Sequence, residues 1–154
     1  MRYSQIKNDV RHNLIDGVIV ARIRNPNPPK RKSLSSGKRK KVYESDFRYV
    51  LIFVPANRKG AVPRATDYFL YRDSTKFKNY RRDFRALWTV SKTLADWGLR
   101  HFTFVDLAGK SDHEGAKDLV KMVRDLTNQY RLLEKALEDY PLSATEPPQW
   151  ITQE

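Results

Sequence analysis

The chain has 154 residues, a formal net charge of +12, 40% apolar residues, eighteen aromatic residues and no cysteine. This length and apolar content suit one folded domain, and the lack of cysteine excludes disulfides and thiolate metal sites. The positive charge is confined to one end: residues 1–64 hold sixteen Lys or Arg against four Asp or Glu, whereas residues 65–154 hold fourteen of each. The excess positive charges at this end repel one another, which destabilises the folded chain. The sequence therefore predicts an anionic polymer as the partner of the basic end.

The first segment predicts a short helix followed by a strand. Residues 4–15 repeat apolar side chains at a spacing of four, and Ser4 suits the helix N-cap. Asp16 and Gly17 then favour a helix end. The β-branched run at residues 18–23 predicts a buried strand.

Residues 25–41, here called the basic arm, carry seven cations, three prolines and no acidic residue. This composition cannot bury apolar surface and predicts an extended loop that binds phosphates. A solvated loop without a ligand and a two-part nuclear-import signal have the same composition and stay open as alternatives. The cations of the basic arm are Lys30, Arg31, Lys32, Lys38, Arg39, Lys40 and Lys41.

Three more strands are predicted after the basic arm. Strand character returns at residues 42–55, and the simplest arrangement pairs this segment antiparallel with the first strand. Residues 67–72 and 101–107 predict two further strands, which would pair in parallel through a helical crossover. A second basic loop, residues 57–65, carries Arg58, Lys59 and Arg64.

A long helix is predicted over residues 73–97, capped by Asp73 or Ser74 and ended by Gly98. Its apolar stripe, expected to face the core, consists of Phe77, Tyr80, Phe84, Leu87, Trp88, Ser91 and Leu94. Its other face is basic and is a second candidate for contact with nucleic acid, although charged helix faces are often simply solvated. The cations are Lys78, Arg81, Arg82, Arg85 and Lys92.

Aromatic residues alternate with cations through the first half of the chain. Strand aromatics commonly pack in the core, but an exposed ring could stack on an unpaired base. The candidates for stacking are Tyr43, Tyr49 and Tyr71.

The segment that follows the strand at 101–107 allows two interpretations. Asp106, Asp112, His113 and Glu114 could gather a divalent cation, as in a small metal-dependent nuclease. Ser111 and Glu114 also fit a capping box at the start of a helix, which accounts for most of these side chains without a metal. We favour the cap, predict no catalytic residue and no metal, and keep the nuclease as an alternative.

A second long helix is predicted over residues 111–140, followed by a Pro-rich tail at 141–154. Its apolar residues repeat at alternating spacings of four and three, typical of a coiled-coil seam. Packing on the sheet of the same domain is favoured, and the alternative is a structural adaptor that binds a protein partner or a second copy through helix 113–140. The seam consists of Leu119, Val123, Leu126, Tyr130, Leu133, Leu137 and Tyr140.

Together these elements predict one α+β domain over residues 1–140, with a mixed sheet of about four strands, two long helices packed on it and the basic arm between the first two strands. We predict a nucleic-acid-binding protein without catalysis or cofactor, with RNA or a ribonucleoprotein assembly favoured over duplex DNA. The apolar runs are too short to cross a bilayer and the N-terminus has no signal-type stretch. We therefore expect a soluble intracellular protein, cytoplasmic or, in a eukaryote, nuclear, without a membrane partner.

Overall fold

A computed structural model of the chain describes residues 6–12, 14–27, 43–56, 68–72, 80–127, 130–144 and 146–147. Helix α1 (Ile6–Arg11) precedes strand β1 (Ile15–Arg24), and a 3₁₀ turn (Glu44–Asp46) precedes strand β2 (Phe47–Pro55). The later elements are α2 (Leu87–Asp96), β3 (Thr103–Asp106), α3 (Asp112–Leu126) and α4 (Arg131–Asp139). No helix within these described ranges is both long and apolar enough to cross a membrane.

The sheet has the strand order β2-β1-β3. The predicted antiparallel pair is confirmed, and it runs from Arg24 opposite Phe47 to Ile15 opposite Pro55, with an irregular register at the Ile15 end. Since β1 begins at Ile15, Asp16 and Gly17 lie in the strand and do not end a helix as predicted. The described residues form three strands, so the α+β class is confirmed but a sheet of about four strands is not.

The predicted strand at 67–72 is wrong over its described part, residues 68–72. This segment makes only single bridges, from Phe69 to Ile52 and from Tyr71 to Arg81. The predicted parallel partner of β3 is wrong as well, because β3 pairs in parallel with β1. The central strand β1 directs apolar side chains to both faces of the sheet, and such a strand gains most from a neighbour on each edge.

Helices cover both faces of the sheet. On one face, side chains of β1 and β2 such as Ile19 and Ile52 pack against α3 and α4. On the other face, Val20 and Leu51 pack against α1 and α2. Along β1 and β2 the buried side chains alternate between these two clusters, as the period of two requires.

Helix α2 begins at Leu87, so the helix predicted over 73–97 is wrong for residues 80–86. These residues form bridges with residues 49 and 71, and the backbone there is not helical. The predicted end is confirmed: Gly98 has φ +87°, its N–H donates to the Ala95 carbonyl at 3.0 Å, and the Leu99 N–H donates to the Leu94 carbonyl at 2.8 Å. This pair of bonds is the Schellman motif, which glycine favours.

The single helix predicted over 111–140 is wrong, because α3 stops at Leu126 and α4 begins at Arg131. Thr127 between them is extended, with φ −153° and ψ 157°. A continuous helix of that length would span about 45 Å, longer than the roughly 33 Å of a ten-residue strand. The break lets both halves pack on the sheet, which buries the seam residues Leu119, Val123, Leu133 and Leu137 in the chain's own core.

Candidate nucleic-acid interface

A cleft of about 600 Å³ collects arginines from several segments of the chain. Asp83 is the single carboxylate among the described residues that line it. Three aromatic residues, Tyr80, Phe84 and Tyr140, also line the cleft. We call it the arginine cleft, and its arginines are Arg48, Arg72, Arg81, Arg82 and Arg85.

Backbone hydrogen bonds bring these arginines together from distant parts of the sequence. Phe84 and Tyr49 exchange both of their N–H···O bonds at 2.9 Å, which fixes residues 80–85 beside the start of β2. On the other side of this segment, the Arg82 N–H donates to the Leu70 carbonyl at 2.8 Å, and the Arg72 N–H donates to the Tyr80 carbonyl at 3.0 Å. Residues 80–84 are therefore held between β2 and residues 70–72.

Arg81 is the buried member of the set. Its backbone N–H donates to the Tyr140 hydroxyl at 3.0 Å, and its guanidinium donates to the Leu142 carbonyl at 2.6 Å and to the carboxylate of Asp83. Burial acts to lower the pKa of Arg81, but the charge and hydrogen bonds of Asp83 outweigh it and raise that pKa. Arg81 is therefore paired with Asp83 in the interior, and its predicted place on an exposed helix face is wrong.

Among the remaining arginines, Arg48 lies close enough to two others to be affected by their charge. Arg48 is half-buried, and this desolvation, followed by the positive charges of Arg85 and Arg72, lowers its pKa despite the opposing effect of Asp83. Arg82 and Arg85 are exposed, and the guanidinium of Arg82 lies 5.4 Å from the centre of the Phe84 ring. A cluster of this kind is unfavourable when empty and is relieved by an anion.

The basic arm leaves the described structure at the rim of this cleft. Asn25 and Asn27, at the start of the arm, both line the cleft. Asn25 is buried, and its backbone N–H donates to the Asp46 carbonyl at 2.8 Å while its side-chain amide donates to the Ser45 carbonyl at 2.9 Å. Its side-chain oxygen accepts from the Asn27 N–H at 3.0 Å. These bonds join the start of the arm to residues 45 and 46, and residues 28–42 lie outside the described part.

Some of the predicted site residues lie in the described part of the chain and the others lie outside it. Arg82 and Arg85 lie in the arginine cleft, and Tyr43 is exposed over 42% of its surface, whereas the rings of Tyr49 and Tyr71 are buried and cannot stack on a base. Outside the described residues lie Lys30, Arg31, Lys32, Lys38, Arg39, Lys40, Lys41, Arg58, Lys59, Arg64 and Lys78.

Sequence reasoning missed Arg48 and Arg72 as members of the site. Each adjoins a buried aromatic, Tyr49 or Tyr71, in a segment that makes β-bridges. Alternation along extended backbone turns the neighbour of a buried residue the other way, so the signal was present in the sequence. What the sequence could not show is that both would meet residues 82–85.

The alternative metal site is not assembled. Asp106 forms an ion pair with Arg22 and accepts the Ala108 N–H at 3.1 Å, and Asp112 accepts a hydrogen bond from Ser143. Within the parts of the chain that are described, no three His, Cys, Asp or Glu side chains are placed to hold a metal ion.

The favoured cap at the start of α3 is confirmed in its main contact. The Ser111 hydroxyl oxygen accepts the Glu114 N–H at 3.2 Å. The Glu114 carboxylate then accepts from the Ser111 hydroxyl at 3.0 Å rather than from its backbone N–H.

Comparison with known proteins gives no match: no protein-family model, no curated protein and no solved structure matches the chain. The described elements define its class as an α+β protein with a mixed three-stranded sheet and four α-helices among the residues covered. What such a protein does is inferred from the chemistry of the arginine cleft.

Proposed function

We propose that this chain is a non-catalytic nucleic-acid-binding protein that holds the phosphate backbone of RNA, or of an RNA-containing assembly, in the arginine cleft. The observation that supports it is the convergence of Arg48, Arg72, Arg82 and Arg85 around a carboxylate that Arg81 already engages. A site with so large an excess of positive charge suits a ligand with several anionic groups in a row.

The residue type supports phosphate as the ligand. A guanidinium stays charged at all physiological pH values and can donate two parallel hydrogen bonds to one phosphate. The described cations in the cleft are all arginines, and none of them is a lysine. Exposed Arg82 and Arg85 would make the first contacts, and an anionic partner would offset the desolvation cost of half-buried Arg48.

The basic arm would extend the same surface. Its first residues, Asn25 to Asn27, line the cleft, and its seven cations follow within the next fourteen residues of the sequence. Long basic segments attached to a compact domain suit folded or single-stranded RNA, whose backbone does not follow one regular groove. This supports RNA over duplex DNA as the proposed ligand.

The test is salt-titrated binding of the whole chain to labelled single-stranded RNA, duplex RNA and duplex DNA, read by fluorescence anisotropy. The variant Arg82→Ala/Arg85→Ala removes two cleft cations, and the control Arg131→Ala/Lys135→Ala removes two exposed cations of α4. Because each phosphate contact on a single strand contributes about 0.7 to the slope of log K against log salt, the cleft variant should lower that slope by about 1.4.

The control should leave both the slope and the affinity close to those of the wild type. Equal slopes for the two double variants would overturn the cleft as the site of binding. A wild-type chain that binds none of the three nucleic acids at low salt would overturn the proposed function itself.

A further inference from the structure

Trp88 is the large apolar side chain with the greatest exposure among the residues described, at 68% of its surface. It was predicted to face the core because its spacing fitted a helix starting near residue 73. With α2 starting at Leu87, the buried face contains Val90 and Leu94, and Trp88 lies two residues before Val90, about 160° away around the helix. The indole therefore points to solvent because Trp88 lies on the side of α2 opposite its buried residues.

Trp88 is close in sequence to residues that line the arginine cleft. Its neighbour Thr89 lines the cleft, and Arg85, three residues earlier, does so as well. Lys92, one helical turn later, is exposed on the same face of α2 as Trp88. An exposed aromatic side chain thus directly precedes, in the sequence, a residue that lines the cleft, although Trp88 is not itself among the lining residues.

We infer that Trp88 stacks on an unpaired base of a single-stranded nucleic acid whose phosphates occupy the arginine cleft, an inference that rests on the proposed function. Bases project from the backbone next to the phosphates, so a strand that follows the cleft presents bases to the residues at its rim. Stacking would cover an indole that is otherwise left in water, which is uncommon for tryptophan.

The inference distinguishes single strands from duplexes. In a duplex the bases are already stacked on one another and are closed to an aromatic side chain, except at the ends. The arginines would contact the phosphates of either form. Trp88 would therefore add affinity for the single strand alone and make the protein selective for unpaired segments.

The experiment compares Trp88→Ala with the wild type on a single-stranded RNA and on a blunt-ended, fully paired RNA duplex with the same number of phosphates, with affinity measured across a salt series. The control is Phe104→Ala, which truncates another exposed aromatic, on β3 at the far edge of the sheet from β2. We expect Trp88→Ala to bind the single strand about tenfold more weakly and the duplex within about twofold of the wild type, because stacking contributes to the single strand only. The salt slope should not change, since no phosphate contact is removed.

Phe104→Ala should leave both affinities unchanged, and Trp88→Phe should recover most of the single-strand affinity. Equal losses on the two RNAs, or no loss on the single strand, would overturn the role of Trp88. In that case the salt slope of Arg82→Ala/Arg85→Ala would still be reduced, so the proposed function would stand. If the arginine variant matched the wild type, or the wild type bound no RNA, both proposals would be overturned.

Discussion

Arg81 and Asp83 form a two-point ion pair at the edge of the arginine cleft. Nε of Arg81 donates to Oδ1 of Asp83 at 2.7 Å, and Nη2 donates to Oδ2 at 3.1 Å. The Arg81 side chain is only 2% exposed, so the pair is what allows a guanidinium to lie in the interior. The positive charge of Arg81 thereby offsets the negative charge that Asp83 brings to the cleft.

Replacing Asp83 by Asn should therefore destabilise the protein strongly. The guanidinium of Arg81 would keep its bond to the Leu142 carbonyl but lose its counter-charge while still buried. We expect the free energy of unfolding to fall by about 3 kcal/mol, as when one partner of a buried ion pair is removed. Urea denaturation measures the change. As a control, the exposed Asp125→Asn should stay within about 0.5 kcal/mol of the wild type, and a similarly small effect of Asp83→Asn would contradict the structural role of the pair.

Local signals in the sequence were sufficient for the elements whose hydrogen bonds are local. The Ser111 cap needs only residues 111–114, and the end of α2 needs only a glycine in the left-handed conformation at Gly98. The antiparallel pair of β1 and β2 was predictable because two apolar, β-branched runs leave few other ways to be buried.

The arrangement of residues 80–84 could not be predicted in the same way. Tyr80, Phe84 and Leu87 repeat at helical spacing, but tyrosine and phenylalanine also favour extended backbone. Here the outcome depends on a bridge to Tyr49 and on a hydrogen bond from the Arg81 N–H to Tyr140, 59 residues away. Contacts so distant in sequence decide both the fold of this segment and the membership of the arginine cleft.

Replacing Arg48 by Met should separate stability from binding. Desolvation and the charge of Arg85 lower the pKa of Arg48, which means that the charged form is penalised in the folded state at neutral pH. Methionine keeps an apolar stem without the charge. We expect the free energy of unfolding without ligand to rise, by only about 0.5 kcal/mol because solvent screens part of the repulsion. Affinity for single-stranded RNA should fall, with the salt slope lower by about 0.7.

Thermal or urea unfolding and anisotropy on the same samples would check both parts of this prediction. Arg131→Met on α4 removes an equivalent charge far along the chain and should alter neither property measurably. A less stable Arg48→Met protein with unchanged RNA affinity would show that Arg48 supports the fold and takes no part in binding.

The ion pair between Arg22 and Asp106 predicts a small dependence of stability on acid pH. The hydrogen bond from Arg22 lowers the pKa of Asp106 below its ordinary value of 3.8. A carboxyl whose pKa is lower in the folded state stabilises the fold above the unfolded value, and this contribution is lost as the pH falls through the folded value. Because the side chains are 31% and 44% exposed, the contribution should stay below about 1 kcal/mol.

The variant Arg22→Met should raise the pKa of Asp106 towards 3.8, measured by NMR titration of its carboxyl carbon. The stem of methionine should preserve much of the packing that Arg22 makes over the Phe47 ring, where the guanidinium carbon lies 4.2 Å from the ring centre. Well above pH 3.8 the variant should lose a small constant amount of stability, and this difference should shrink as the pH falls below 3.8 and passes through the folded-state pKa of Asp106. A titration curve of Asp106 that does not move would show that Arg22 does not set its pKa.

Neutralising the basic arm should reduce binding without disturbing the fold. A variant with glutamine at all seven cations of Lys30–Lys41 keeps the hydrogen bonds of Asn25 that close the base of the arm, so its melting temperature should match that of the wild type. If every cation contacts a phosphate, the salt slope on single-stranded RNA should fall by as much as about 5, and each contact not made reduces that change by about 0.7.

The control keeps all seven cations and changes only their order within the arm. Neutralisation of phosphates does not depend on sequence, so this scrambled arm should bind RNA as the wild type does. The two alternative interpretations of the arm give different results. If the arm is only a solvated loop, removing its charge leaves RNA binding unchanged. If it is an import signal, RNA binding is also unchanged but nuclear accumulation of a fluorescent fusion is lost. An unchanged salt slope for the glutamine variant would therefore exclude the arm from the RNA-binding surface and confine the proposed contacts to the arginine cleft.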